Sequence, residues 1–200
     1  MAKILVTGGA GYIGSHTCVE LLEAGHEVIV FDNLSNSSEE SLGRVQDITK
    51  KSLTFVHGDI RNSDELDRVF QEHTIDAVIH FAGLKAVGES QEKPLIYFDN
   101  NITGSIQLVK SMEKAGVYTL VFSSSAAVYD EANISPLNEN MPTGMPSNNY
   151  GYTKLIVEQL LQKLSIVNSE WSIALLRYFN PVGAHKSGRI GEDPQGIPNN

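Results

Sequence analysis

Tyr150 and Lys154 stand four residues apart in SNNYGYTK (147–154), a segment that runs directly into the apolar-periodic stretch LIVEQLLQKL. If a helix begins near Tyr150, the phenol and the ammonium share one face, because positions i and i+4 are helix neighbours. Tyr152, two residues from the lysine, points elsewhere. A nearby ammonium favours the ionised phenol and draws its pKa down from about 10 toward neutrality, which would make Tyr150 a usable general base. Tyr-x-x-x-Lys is common by chance, so its weight depends on the residues around it.

Those residues include a glycine-rich turn. KILVTGGAGYIGSHTCVELLEAG (3–25) reads as a strand, glycines at 8, 9, 11 and 14, then an amphipathic helix. Gly9, Gly11 and Gly14 fit G-x-G-x-x-G, and Gly8, Gly11 and Gly14 fit G-x-x-G-x-x-G. Such a turn aims backbone N–H groups and a helix N-terminus at a pyrophosphate, with Gly11 permitting close approach and Gly14 letting the helix pack on the strand. Asp32 ends the next strand, where a carboxylate accepts hydrogen bonds from an adenosine ribose. The following NLSNSS holds no arginine to pair with a 2′-phosphate, and the first arginine after Asp32 is Arg44, so the expected cofactor is NAD(H) rather than NADP(H). Asp59, in HGDI, is expected at the adenine amino group or as a turn acid.

Positioning these groups requires a scaffold, and the pattern supplies one. KILVT (3–7), HEVIVFD (26–32), LTFVHGD (53–59), DAVIHFA (76–82), TLVFSSS (119–125) and WSIALLRYF (171–179) read as strands. Several are near-continuous apolar runs, as strands buried on both faces require. Helical patterns at about 12–24, 39–50, 63–73, 94–115 and 150–167 alternate with them, so the expected fold is α/β, a parallel sheet built from right-handed βαβ units. From Gly183 the chain turns polar and Gly/Pro-rich without periodicity. A net charge of −9 and a pI near 5.1 argue against nucleic-acid or anionic-membrane partners. No apolar run approaches membrane-spanning length and no leader pattern opens the chain, giving an expectation of a cytoplasmic protein. Cys18 is alone, which excludes a disulfide framework or a cysteine metal cluster and makes core packing its expected role.

Five segments together, TGGAGYIGSH, HFAGLKAVGES, FSSSAAVY, YGYTK and LRYFNPVGAH, resemble the extended short-chain dehydrogenase/reductase family. HFAGLKAVGES and the final GEDPQGIPNN are similar to the members that epimerise UDP-linked hexoses. The resemblance implies a Rossmann-like doubly wound sheet over 1–180, with 181–200 beginning a sugar-nucleotide-binding lobe that is missing or incomplete. It implies a pyrophosphate held by Gly8, Gly11, Tyr12, Ile13 and Gly14, and adenosine contacts from Asp32, Asn33, Asn36, Ser37, Asp59 and Ile60. Phe81, Ala82, Gly83 and Lys85 would line the middle of the cofactor, and Asn100, Ser123, Tyr150, Lys154 and Phe179 the nicotinamide side. Ser125, Tyr150, Asn180 and Asn200 match positions that touch the nucleotide sugar. The activity implied is interconversion of UDP-galactose and UDP-glucose through transient oxidation at C4, with Tyr150 as base and Ser125 relaying its proton. A homodimer through the helices at 94–115 and 150–167 is implied as well.

Three positions depart from the family pattern: Ala127 for Thr, Asp130 for Gly and Asn149 for Pro. Two alternatives are open. One is a module that binds NAD and turns nothing over; the chain is expected to bind NAD and react slowly or not at all. The other, a 4,6-dehydratase, needs an added acid/base pair, and SAAV ahead of Tyr129 offers no carboxylate.

Overall fold

The computed structural model describes residues 1–193. Six strands, β1 (Lys3–Thr7), β2 (Glu27–Asp32), β3 (Thr54–His57), β4 (Ala77–His80), β5 (Thr119–Ser125) and β6 (Ser172–Tyr178), form one sheet in the order 3-2-1-4-5-6. Every neighbouring pair is parallel. The helices α1 (Tyr12–Glu23), α2 (Glu39–Thr49), α3 (Ser63–Glu72), α6 (Gly104–Ala115) and α7 (Asn149–Val167) cover its two faces. Side chains alternate across the sheet, which divides the core in two. Leu5, Ile29, Phe31, Val78, Leu120 and Phe122 pack under α3, α6 and α7. Ile4, Val6, Val28 and Val30 pack under α1 and α2, where Cys18 is fully buried and burial pushes its thiol up to about 12. Strand order reverses between β1 and β4, and the crevice beyond the carboxyl ends at such a reversal is where doubly wound sheets take ligands.

The strands and the five long helices lie where the sequence pattern sets them, to within a few residues. Two differences bear on the site. A short helix α4 (Val87–Glu92) follows β4 in a stretch too short to show periodicity. The expected single helix at 94–115 is instead α5 (Pro94–Tyr97), a π-helical turn at Phe98–Thr103, and α6. A π turn widens the helix by one residue, and such turns gather at functional sites. Here it delivers the Asn101 carboxamide, 3% exposed, to the Leu84 backbone and the Thr153 hydroxyl. Asn101 Oδ1 accepts from Leu84 N at 2.8 Å, while Nδ2 donates to Leu84 O and to Thr153 Oγ1, each at 3.0 Å. These bonds offset the irregular backbone that produces them.

Candidate active site

The cradle is built first. Gly8 sits at φ +72°, a left-handed conformation suited to glycine, and a Cβ there would lie 2.5 Å from Ala82 N. A Cβ at Gly14 would lie 2.3 Å from Gly8 O and 2.7 Å from Gly9 Cα, so this glycine lets α1 close onto the turn itself rather than onto the strand. Gly11, the N-cap of α1, offers no side-chain acceptor, and Ser15 N at 2.9 Å is the first amide to reach its carbonyl. The leading amides, Tyr12, Ile13 and Gly14, therefore face the crevice as an uncapped helix N-terminus. A Cβ at Gly11 would meet only Gly8 O, at 3.4 Å, which leaves room for a phosphate to approach the backbone. This arrangement fits a dinucleotide pyrophosphate.

Asp32 Oδ2 accepts from Ala10 N at 3.0 Å, and Oδ1 accepts from Leu34 N and Ser37 Oγ, both at 2.9 Å. The protein thus fixes the carboxylate, and Oδ2, with one hydrogen bond, keeps a further acceptor position. Asn33 donates to Asp59 Oδ2 at 3.1 Å, whereas Asn36 is exposed. Asp59 is strongly engaged: Oδ1 accepts from Arg61 N and Nε, Oδ2 from Arg61 Nη2 at 2.7 Å, and these bonds hold its pKa down to about 2. A base amino group would have to compete with Arg61 there. Ile60 is 4% exposed and packs against Gly104, so its side chain belongs to the core.

On the other wall, Phe81 N and Ala82 N both donate to Thr7 O, tying the start of the β4 loop to β1. Gly83 faces the catalytic corner, where a Cβ would lie 3.6 Å from Lys154 Nζ. Asn148 caps α7 by accepting from Gly151 N at 2.8 Å, so Tyr150 and Lys154 occupy its first turns on one face, and Tyr152 turns toward Phe98. Lys154 is 6% exposed, with Nζ donating to Ser123 O at 2.7 Å and lying 4.9 Å from the Phe122 ring centroid. Burial brings its pKa down to about 8. Asn100 Nδ2 bonds Asn101 Oδ1 at 3.0 Å. The Ser125 hydroxyl accepts from Ala127 N at 3.2 Å and lies near enough to the Tyr150 phenol to favour its ionised form.

One expectation is corrected here. Tyr150 is not drawn toward neutrality by its lysine: burial raises its pKa, and only the Ser125 hydrogen bond opposes that. Lys154 Nζ is spent on the Ser123 carbonyl and lies 6.0 Å from the Tyr150 ring centroid. Phe179 (61% exposed) and Asn180 are exposed, and Asn200 lies outside the described residues.

Other residues that the sequence pattern did not single out position the corner. Ser90, fully buried on α4, accepts from Tyr150 N at 3.1 Å and receives Asn149 Nδ2 on its carbonyl at 2.9 Å. Asn149, where the family pattern has Pro, also donates its backbone N–H to Gln91 Oε1 at 3.2 Å, a bond proline could not make. Asp130 sits over Gly144, where a Cβ would lie 2.3 Å from its Oδ2, so the departure at 130 is matched by a glycine across the loop. His80 bridges Thr7 Oγ1 at 2.6 Å and Ser105 Oγ at 2.9 Å. In the sequence His80 and Ser90 are only the ends of HFAGLKAVGES, and Asn149 and Asp130 only departures; their meeting in space gives them their positioning parts.

Burial, and secondarily the Lys154 charge, pushes His80 from 6.5 down to about 3. Between those values the unfolded chain binds a proton that the folded one does not. Stability present above pH 6.5 is therefore lost as pH falls toward 3, at up to about 1.4 kcal/mol per pH unit. Urea midpoints measured across this range should show that slope, and His80→Gln should flatten it; an unchanged slope in the variant refutes the assignment.

A 3-2-1-4-5-6 sheet with an uncapped, glycine-lined helix start at its switch point defines a dinucleotide-binding α/β domain. The chain belongs to the NAD dependent epimerase/dehydratase family, whose pattern matches residues 4–196. It is 62% identical over 197 residues to UDP-glucose 4-epimerase of Bacillus subtilis, covering 98% of this chain and 58% of that protein. Against UDP-glucose 4-epimerase of Mus musculus it is 55% identical over 206 residues, covering 100% of this chain and 59% of that protein. The crystal structure of UDP-glucose 4-epimerase from Bifidobacterium longum in complex with NAD+ and UDP superposes with a TM-score of 0.97 at 52% identity, covering 99% of this chain and 59% of that one. The chain thus spans under two thirds of the length of the relatives it matches. Among the described residues no helix is long and apolar enough to cross a membrane, and no three His, Cys, Asp or Glu side chains converge as metal ligands.

Proposed function

We propose that this chain carries the cofactor-binding and catalytic residues for NAD-dependent interconversion of UDP-galactose and UDP-glucose at sugar C4. The observation that carries the reading is the corner itself: the buried Tyr150 phenol near Ser125, with Lys154 one turn on, its ammonium bonded to the Ser123 carbonyl and faced by Gly83. Gly8, Gly11, Tyr12, Ile13 and Gly14 would hold the pyrophosphate of NAD and Asp32 its adenosine ribose, with Lys85 and Ser123 further along. Bound NAD supplies reversible two-electron acceptance at C4 and, when oxidised, a positive charge that favours the phenolate. Tyr150 Oη takes the proton of the C4 hydroxyl and later returns it. Ser125, both donor and acceptor, bridges phenol and sugar oxygen. Lys154 keeps a positive charge beneath the phenol, and its buried ring of neighbours excludes water from that charge. A homodimer is part of the same reading, supported by Leu95 and Ile96 of α5, 82% and 51% exposed.

A second reading, an NAD-binding module without turnover, draws on Phe179 and Asn180 facing solvent. Purified chain is expected to bind NAD and convert UDP-galactose to UDP-glucose well below the ordinary range of about 1–10³ per second. NAD binding with no sugar-nucleotide-dependent reduction of the cofactor would overturn the epimerase reading in favour of the module.

A further inference from the structure

The segment after β6 does not stay at the edge of the sheet. β6 is the outermost strand on its side, two strands beyond β4. Yet Gly183 O receives the Tyr12 hydroxyl at 2.5 Å, beside the first amides of α1. The chain then turns on itself, with Gly188 (φ +68°) donating to His185 O and His185 N to Ile190 O. Its tip reaches α2, where Arg189 pairs with Asp47 at 2.7 Å and its carbonyl accepts from Arg44 at 3.0 Å. Ile190, 5% exposed, enters the core beside Ala10, Leu42 and Val45. On the way back Glu192 pairs with Lys85 Nζ at 2.7 Å. The segment therefore crosses the carboxyl ends of the central strands, from β6 to α2, and returns to the loop after β4.

We propose that residues 183–193 form a strap over the dinucleotide cleft, which must lift for the cofactor to enter or leave. The proposal rests on the site reading above. Its logic is chemical: a reaction that returns its cofactor to the starting oxidation state gains nothing from exchange and loses an unfinished sugar if the cofactor escapes early. A strap pinned at four points, Gly183, Arg189, Ile190 and Glu192, slows both passages. Ile190 is the main anchor, because it is the apolar group withdrawn from water; the Arg189–Asp47 and Lys85–Glu192 pairs are partly exposed and contribute less. Glu192 also holds Lys85 at the cleft wall, where the resemblance places that lysine against the cofactor.

The test is rapid-mixing fluorescence of NADH binding and release. Ile190→Ala should quicken release about tenfold or more. The double variant Arg189→Gln with Glu192→Gln, which leaves the core intact, should quicken it roughly threefold. Entry should quicken in step, so that affinity changes less than either rate. Release unchanged in both variants, or quickened release with entry unchanged, overturns the strap while leaving the site reading standing. Failure of the unaltered protein to bind NADH would sink the site reading, and the strap with it.

Discussion

Tyr150→Phe is expected to slow UDP-galactose conversion by about 10²–10⁴-fold, the usual contribution of a positioned acid/base group. Cofactor affinity should stay within a few-fold. The substitution removes one oxygen, and neither the glycine cradle nor Asp32 uses that oxygen. Because burial lifts the phenol and only Ser125 counters it, the phenolate depends on positive charge brought close to it. Oxidised NAD would bring that charge; Lys154, spent on the Ser123 carbonyl, does not lower the phenol in the chain alone. Single-turnover reduction of bound cofactor by UDP-galactose reads the chemistry directly. If Tyr150→Phe reduces its cofactor as fast as the unaltered protein, another group is the base.

Glu158→Ala is expected to cost about 3–5 kcal/mol, the penalty of leaving a buried charge without its partner. For a chain of this size that lowers the thermal midpoint by roughly 6–20 °C. Glu158, 1% exposed, continues the face of α7 that carries Tyr150 and Lys154. It accepts the Ser124 hydroxyl and holds Arg177 through Nε at 3.0 Å and Nη2 at 2.9 Å. Arg177 in turn lies 4.8 Å from the Tyr129 ring centroid. The cluster ties α7 to β5 and β6 directly behind the serines that face the phenol. Joining Arg177→Met to Glu158→Ala should restore most of the loss, since no charge is then stranded. A single-variant loss below about 1 kcal/mol would mean that the guanidinium finds water, and the cluster would then not be the anchor described.

Much of this was legible without coordinates because it follows from local rules. Two-face burial makes a strand a continuous apolar run, so the six strands stand out. Gly8 and Gly14 announce a turn with no room for a Cβ, and the i, i+4 spacing puts Tyr150 and Lys154 on one face. What escaped depends on partners distant in the chain. Ser90 reaches Tyr150 across 60 positions and Asn101 reaches Thr153 across 52. No periodicity records either meeting. The π turn escaped for the same reason, since its stability comes from bonds that Asn101 makes outside its own helix.

By itself, then, the amino-acid sequence determined the sheet, the glycine turn and the shared helix face of Tyr150 and Lys154, all consequences of spacing within a few turns or strands. Only the tertiary structure decided their electrostatics: a phenol raised rather than lowered, an ammonium spent on a carbonyl, and a tail laid back over the cleft. The physical reason is that desolvation and charge pairing depend on what surrounds a group in three dimensions. Spacing along the chain sets which face a side chain takes, but not how dry that face becomes.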